Sequence, residues 1–232
     1  MRERYDSAAA EHYAAYRPPL HRYILSRLLG ETGPLAVGLD VGCGTGTSSV
    51  ALAEYCGHVY GVEPSRAMLA RAVPAGRVDY LHGSAESVPL PAASVDVVTF
   101  AGSLFYADGP ATHREILRVA RPGAWVLVYD FELLLHEIMD TLGASLAGTS
   151  SSYDHRVNLS GVSGFTERSV SEERVEVPML AGEQAHVLLS DSHRFDAFAR
   201  HYRTNEPFAR LKDELGSGAI KAVLYYAAYQ AE

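Results

Sequence analysis

The stretch Leu35-Ala36-Val37-Gly38-Leu39-Asp40-Val41-Gly42-Cys43-Gly44-Thr45-Gly46 joins an apolar run ending in an acid to glycines at every second position. An apolar run of this kind is a buried strand of an α/β sheet. The glycines turn the chain tightly and let a ligand lie almost on the backbone. Thr47-Ser48-Ser49-Val50-Ala51-Leu52-Ala53 then opens a helix, with Thr47 as its cap. A strand, a glycine turn and a helix N-terminus in that order form a nucleotide-binding unit.

Working outward, the chain alternates strands and helices. Upstream, the pattern predicts helices over Ser7–Ala15 and Leu20–Leu29, separated by a kink at Arg17-Pro18-Pro19. Downstream it predicts a helix over Ser48–Cys56 and a second strand, Val59–Val62, ending at Glu63. A helix over Arg66–Val73 and strands at Val78–Leu81 and Val95–Phe100 follow. A helix over Thr112–Val119 is stopped by Arg121-Pro122-Gly123, and Trp125–Tyr129 is a fifth strand. Such alternation implies a parallel sheet covered on both faces. After Phe131 it fades. Leu133–Leu146 reads as a helix, Gly148–Gly164 as a Ser/Gly-rich loop and Val175–Pro178 as a strand. Arg194–His201 and Phe208–Leu215 read as helices, and Ala219–Gln230 is a closing β-branched and aromatic run.

The 232 residues suffice for one large domain or one domain with an inserted cap, and the 47% hydrophobic content can fill a core. The formal net charge of -8 argues against nucleic acid as a default partner, a local patch around Arg114, Arg118 and Arg121 being the exception. The 2 cysteines, Cys43 and Cys56, cannot build a disulfide framework and suggest a reducing, cytoplasmic setting. No Cys or His pair has zinc-ligand spacing, so no metal is expected. The charged start, Met1–Asp6, leads into no apolar core as a signal peptide would, and the longest apolar runs are too short to span a membrane.

Four segments in order resemble the motifs of class I S-adenosylmethionine-dependent methyltransferases. They are Leu39–Gly46, Val62-Glu63-Pro64-Ser65, Gly83-Ser84-Ala85-Glu86-Ser87-Val88-Pro89-Leu90 and Leu117-Arg118-Val119-Ala120-Arg121-Pro122-Gly123. The likeness runs from about Tyr5 to Phe131 and is to the small-molecule branch, which includes ubiquinone-biosynthesis and trans-aconitate methyltransferases. It implies a Rossmann-like, doubly wound α/β fold. The seven-stranded sheet would be mostly parallel, with an antiparallel last strand at about Ala222–Gln230. The expectation is a single methyltransferase domain over residues 1–232, with an N-terminal helical cap at 1–30 and an acceptor lid at 131–192.

The resemblance also implies site residues. Gly42, Cys43, Gly44 and Gly46 would let the cofactor's tail and sulfonium approach the backbone. Asp40 would lie near the tail's ammonium, directly or through water. Glu63, beside Pro64, lies about twenty residues beyond the glycines, where a carboxylate can take both ribose hydroxyls and oppose a phosphate. Ser84, Ala85 and Glu86 belong to the adenine loop, with the Ala85 amide donating to the ring. The family often has Asp where Ser84 stands, and the neutral hydroxyl would weaken that hydrogen bond by about 1 kcal/mol. Tyr16 and Arg17 match a segment that closes over the cofactor, where an arginine can hold its carboxylate; packing on the sheet is the alternative. Ala101 and Gly102, followed by Phe105 and Tyr106, would face the methyl group. His136, then Asp130 and Tyr106, are the candidate bases. His155, His186 and His193 lie in the variable half, where nothing ranks them.

The expected function is methyl transfer from S-adenosylmethionine to a small-molecule acceptor at oxygen, nitrogen or carbon. A nicotinamide dehydrogenase shares the opening unit, but its fingerprint places the last glycine three residues after the second. A non-catalytic protein, or one running another adenosylmethionine-dependent reaction, stays open on the same fold.

Overall fold

The computed structural model describes residues 7–144 and 152–232. Along the chain run α1 (Ser7–Ala15), α2 (Leu20–Leu29), β1 (Leu35–Val41), α3 (Thr47–Leu52), β2 (Cys56–Glu63), α4 (Arg66–Leu69), β3 (Val78–His82) and β4 (Val95–Ala101). A 3-10 turn (Leu104–Tyr106) precedes α5 (Gly109–Val119), β5 (Ala120–Leu133), α6 (His136–Thr141) and β6 (Phe165–Met179). The chain closes with α7 (Ala181–Leu189), α8 (Ser192–Tyr202), α9 (Phe208–Glu214) and β7 (Gly218–Ala231).

The strands form one seven-stranded sheet in the order β3-β2-β1-β4-β5-β7-β6, with the last strands antiparallel. β1 to β5 pair in parallel, and β1 sits between β2 and β4, with Asp40 opposite both Gly61 and Thr99. The winding direction reverses between β1 and β4. In such sheets the carboxyl ends at the reversal point form the binding crevice. The core is aliphatic and aromatic: Leu39, Val62, Val98, Val126 and Tyr229 are fully enclosed, and Phe100 nearly so.

Two compact units divide the chain. One comprises Pro19–Phe131, Tyr153–Glu173 and Leu224–Glu232, and holds the parallel strands. The other comprises Met1–Pro18, Glu132–Ser152 and Arg174–Val223. Within this other unit α7 packs on α1, α8 and α9. His12 Nδ1 lies 2.9 Å from His186 Nδ1, beside Phe195 and Phe208.

Several elements depart from the pattern-based expectation. Thr47 is not the cap of α3: Gly46 holds that place, with φ of 87° and no side-chain cap. α3 stops at Leu52 because the amides of Glu54 and Tyr55 bond back to Ala51 and Leu52, tightening the chain before β2 begins. α4 is a single turn, and α6 is shorter than expected; Ser145 and Leu146 lie outside the described residues, as do 148–151 of the expected loop. β6 runs 15 residues where four were expected. It is the edge strand, and Glu167, Arg168, Glu172 and Arg174 make most of it exposed and polar, which shields an open edge from further pairing. That charge pattern hides the strand in sequence. α7 was not foreseen either. It lacks a Ser, Thr or Asp cap and carries Gly182 in its first turn; the Glu183 carboxylate accepts from the Leu180 amide instead.

Candidate functional site

The glycine turn leaves β1 with two amides, Gly42 and Cys43, both donating to the Val62 carbonyl on β2 at 2.8 and 3.1 Å. Gly42 has φ of 70°, and a Cβ there would meet the Ser103 Cβ at 2.5 Å. Gly46 is equally confined, since its Cβ would overlap the Tyr80 hydroxyl. Gly44 differs: a Cβ there would meet only the Met68 methyl, at 3.5 Å. The turn is thus tight below and open above, which suits a ligand lying against backbone.

Glu63 ends β2 and is nearly buried. Its carboxylate accepts from the Gly44 amide at 3.0 Å and the Ser65 amide at 2.8 Å. Two amides therefore fix the carboxylate at the rim of the turn, and an ionised carboxylate retains further lone pairs for hydroxyl donors. This acceptor fits the ribose diol of S-adenosylmethionine and disfavours a pyrophosphate. The exposed Pro64 follows it.

Asp40 is fully enclosed. It accepts from the Ser48 and Ser49 hydroxyls at 2.6 Å each and from Thr99 at 2.9 Å. Burial pushes its pKa up against the pull of those three hydroxyls. It ties β1 to β4 and to the start of α3. The Gly83–Leu90 segment is closed by paired backbone bonds between Ser84 and Ser87 at 3.2 Å. Ala85 packs partly against the core. Glu86 accepts from the Asp108 amide at 2.9 Å and from Thr112, at the start of α5. Burial pushes its carboxyl up, but the Asp108 amide and the Ser84 and Thr112 hydroxyls hold it below the usual range.

Where β4 ends, Ala101 and Gly102 are half-buried, and the Ser103 hydroxyl donates to the Val41 carbonyl at 2.5 Å. Gly102 has φ of 71°, and a Cβ there would stand 3.1 Å from Asp130 Oδ1. Asp130, near the end of β5, accepts from the Tyr153 hydroxyl at 2.7 Å and faces His155 Nδ1 at 2.8 Å, both on Oδ2. Its Oδ1 accepts from the Phe131 amide at 2.8 Å. The Tyr153 hydroxyl also lies 2.8 Å from the Gly102 carbonyl. Phe105 is partly exposed and Tyr106 is 76% exposed, and both rings lie against Tyr153.

The structure therefore gathers Gly42, Cys43, Gly44, Gly46, Asp40 and Glu63 at the carboxyl ends of β1 and β2, with Ala101 ending β4, Gly102 and Tyr106 beyond it, and Asp130 near the end of β5. Tyr16 and Arg17 lie in the unit that begins the chain, both half-buried, with burial and then Glu183 raising the Tyr16 pKa. His136 opens α6 in that same unit and is exposed. Sequence reasoning missed Tyr153 and left His155 unranked. Both stand in a stretch without helix or strand, and only their shared contact with Asp130 sets them apart. Among the described residues there is no cluster of three or more metal-ligating side chains, and no helix is long and apolar enough to cross a membrane.

Residues 39–128 match the family model for a methyltransferase domain. An O-methyltransferase of Aspergillus sclerotiorum is 36% identical over 107 residues, 42% of this chain and 40% of that protein. The ubiquinone/menaquinone biosynthesis C-methyltransferase of Rubrivivax gelatinosus is 31% identical over 154 residues, 60% of this chain and 61% of its own length. The chain spans roughly two to three fifths of the length of the curated relatives it matches. In fold, it resembles the structure of a proposed type II methyltransferase from Anaeromyxobacter dehalogenans. The TM-score is 0.67 at 24% identity, over 94% of this chain and 98% of that one. Over residues 39–128 the chain is thus similar to methyltransferase domains, and its mostly parallel seven-stranded sheet has the Rossmann-like fold of the methyltransferase structure it resembles.

Proposed function

We propose that the protein transfers a methyl group from S-adenosylmethionine to a small-molecule acceptor at oxygen, nitrogen or carbon. The observation that supports this best is Glu63, nearly buried and held by the Gly44 and Ser65 amides at the rim of an open glycine turn. When bound, the cofactor supplies a methyl group on a cationic sulfur, already activated for displacement. The protein's task is then to hold two reactants in line, which can itself account for much of a rate enhancement.

On this reading Glu63 takes the ribose diol, with Pro64 beside it. Ser84 and Ala85 line the adenine, and Gly42, Cys43, Gly44, Gly46, Ala101 and Gly102 provide close backbone approach. Asp40 acts at one remove, by fixing Ser48, Ser49 and Thr99, and Glu86 steadies the adenine loop from the start of α5. Tyr16 and Arg17 are proposed for the cofactor's carboxylate. Residues 1–30 as a cap and 131–192 as an acceptor lid of one domain, 1–232, belong to the same proposal. A cytoplasmic location is proposed on the two cysteines alone, too few for a disulfide framework. The named relatives act as an O-methyltransferase and a quinone-pathway C-methyltransferase, which favours a small acceptor over nucleic acid, as does the net charge of -8.

Thermal shift with S-adenosylhomocysteine against NAD tests the donor: stabilisation by the former alone is expected, and stabilisation by NAD alone overturns the reading. A metabolite screen with labelled methyl donor then separates an enzyme from a non-catalytic binder. Limited proteolysis is expected to show protection within 131–192 when donor product and acceptor are both present.

A further inference from the structure

We propose that His155, oriented by Asp130, takes the proton from a neutral hydroxyl group on a flat acceptor that lies against Phe105, Tyr106 and Tyr153. The inference rests on the methyl-transfer reading for its electrophile and goes beyond it by naming the base and the acceptor class.

Geometry carries it. Asp130 Oδ2 faces His155 Nδ1 at 2.8 Å, so the carboxylate selects the tautomer with its proton on Nδ1. Nε2 is then the ring nitrogen left to receive a proton. The carboxylate is itself fixed, by the Tyr153 hydroxyl on Oδ2 and the Phe131 amide on Oδ1. The imidazole is held flat over Tyr225, with an interplanar angle of 12°. A base whose orienting group is itself oriented has the arrangement of catalytic acid–base pairs. Tyr153 is no rival base: burial, then Asp130, push its pKa well above the usual range, so it remains a donor.

The cluster also stands next to the glycine turn. Asp130 and Tyr153 crowd Gly102, whose own neighbour Ser103 closes on Gly42 of the glycine turn. A small cleft here is lined by Gly102, Phe105, Asp130, Tyr153, Asp154 and His155, among others. Among the described residues lining it there is no Lys or Arg, while two carboxylates are present. A carboxylate or phosphate acceptor would meet repulsion, and it needs no base. A neutral hydroxyl is a weak nucleophile and does need one. Phe105, Tyr106 and Tyr153 present ring centroids 4.7 to 5.6 Å apart at varied tilts, a wall on which a flat ring gains offset or edge contacts. In the step, the acceptor's proton passes to His155 Nε2 and the acceptor oxygen bonds to the donor methyl carbon. The methyl–sulfur bond breaks with its electron pair on sulfur, leaving the methyl ether, S-adenosylhomocysteine and an imidazolium.

The test uses the whole chain saturated with S-adenosylhomocysteine and 4-nitrophenol as the acceptor probe. At a pH where the free probe is neutral, the bound probe is expected to show phenolate absorbance, lost in His155→Gln and in His155→Asn. The same variants should bind S-adenosylhomocysteine within about twofold of the natural chain. With any acceptor that turns over, they should lower kcat by about 10²–10⁴-fold. Nitrogen-15 NMR should find the Nδ1–H tautomer of His155, scrambled in Asp130→Asn. If S-adenosylhomocysteine binds but the probe fails to bind, stays neutral, or ionises equally in the His155 variants, the base and acceptor class are overturned and the donor reading stands. If S-adenosylhomocysteine does not bind the natural chain, it is the methyl-transfer reading that fails.

Discussion

The turn after β1 and the cluster after β5 both lie at the carboxyl ends of the parallel strands, yet they are made of different parts of the chain. The proposed donor side is mostly backbone: three glycines with positive φ and the amides of Gly44 and Ser65 around one carboxylate. The other side is almost all side chain: Asp130 from the sheet, with Tyr153 and His155 brought back by a segment more than twenty residues on. Backbone geometry depends on a few residue types at fixed spacing, so it is shared across a family. A side-chain cluster can be rebuilt residue by residue, so it can differ between acceptors while the donor side stays the same.

Substitutions at the glycines should break this contrast most severely. Gly46→Val places a side chain where even a Cβ would overlap the Tyr80 hydroxyl, in a backbone with φ of 87°. Loss of cooperative folding, or of all S-adenosylhomocysteine binding, is expected in thermal melts and calorimetry. Gly44→Ala, with open space above it, should cost only about 1–2 kcal/mol of left-handed strain, a fall in Tm of a few degrees. Near-equal damage from the two would show that the turn is not open above Gly44.

Tyr153→Phe should act on the other side alone. Removing the hydroxyl that pins Asp130 is expected to lower kcat by about 10²-fold, as misplaced catalytic groups do. S-adenosylhomocysteine affinity should change by less than about twofold. A matching loss in donor affinity would merge the two sides into one.

Smaller effects sharpen the picture. Ser84→Asp should tighten donor binding by about 1 kcal/mol, or roughly fivefold, by restoring a charged acceptor for the adenine amino group. A pH series separates stability from binding. Burial, and then His186, lower the pKa of His12; burial alone lowers those of His186 and His113. The unfolded chain then binds more protons than the folded one, so their contribution is complete above about pH 6.5 and is lost as pH falls below it. Tm should drop on acidification, with a shallower slope in His186→Gln.

Much of the fold was legible because strands β1, β2, β4 and β5 are largely buried and read as apolar runs between glycine and proline stops. That Asp40, Gly42, Gly46 and Glu63 stand at the carboxyl ends of two neighbouring strands was legible from the same strand pattern, while the roles expected of them came from the family resemblance. What stayed hidden obeys the opposite rule. β6 is an edge strand whose polar side chains give no burial pattern, and α7 begins without a polar cap residue. Asp130 could be named from its place after β5, but its partners could not, because Tyr153 and His155 sit in irregular chain whose path only tertiary structure fixes. Asp40 shows a subtler limit. Nothing in its spacing announced that burial and three hydroxyl donors make it a brace within the sheet end.

The account turns on Glu63, and calorimetric titration of S-adenosylhomocysteine into the natural chain and into Glu63→Ala addresses it directly. Losing a charged acceptor for two ribose hydroxyls should raise Kd by about 100-fold, near 3 kcal/mol, in a variant that still melts cooperatively. An unaltered Kd in a folded variant would contradict it, leaving the glycine turn without its ribose anchor.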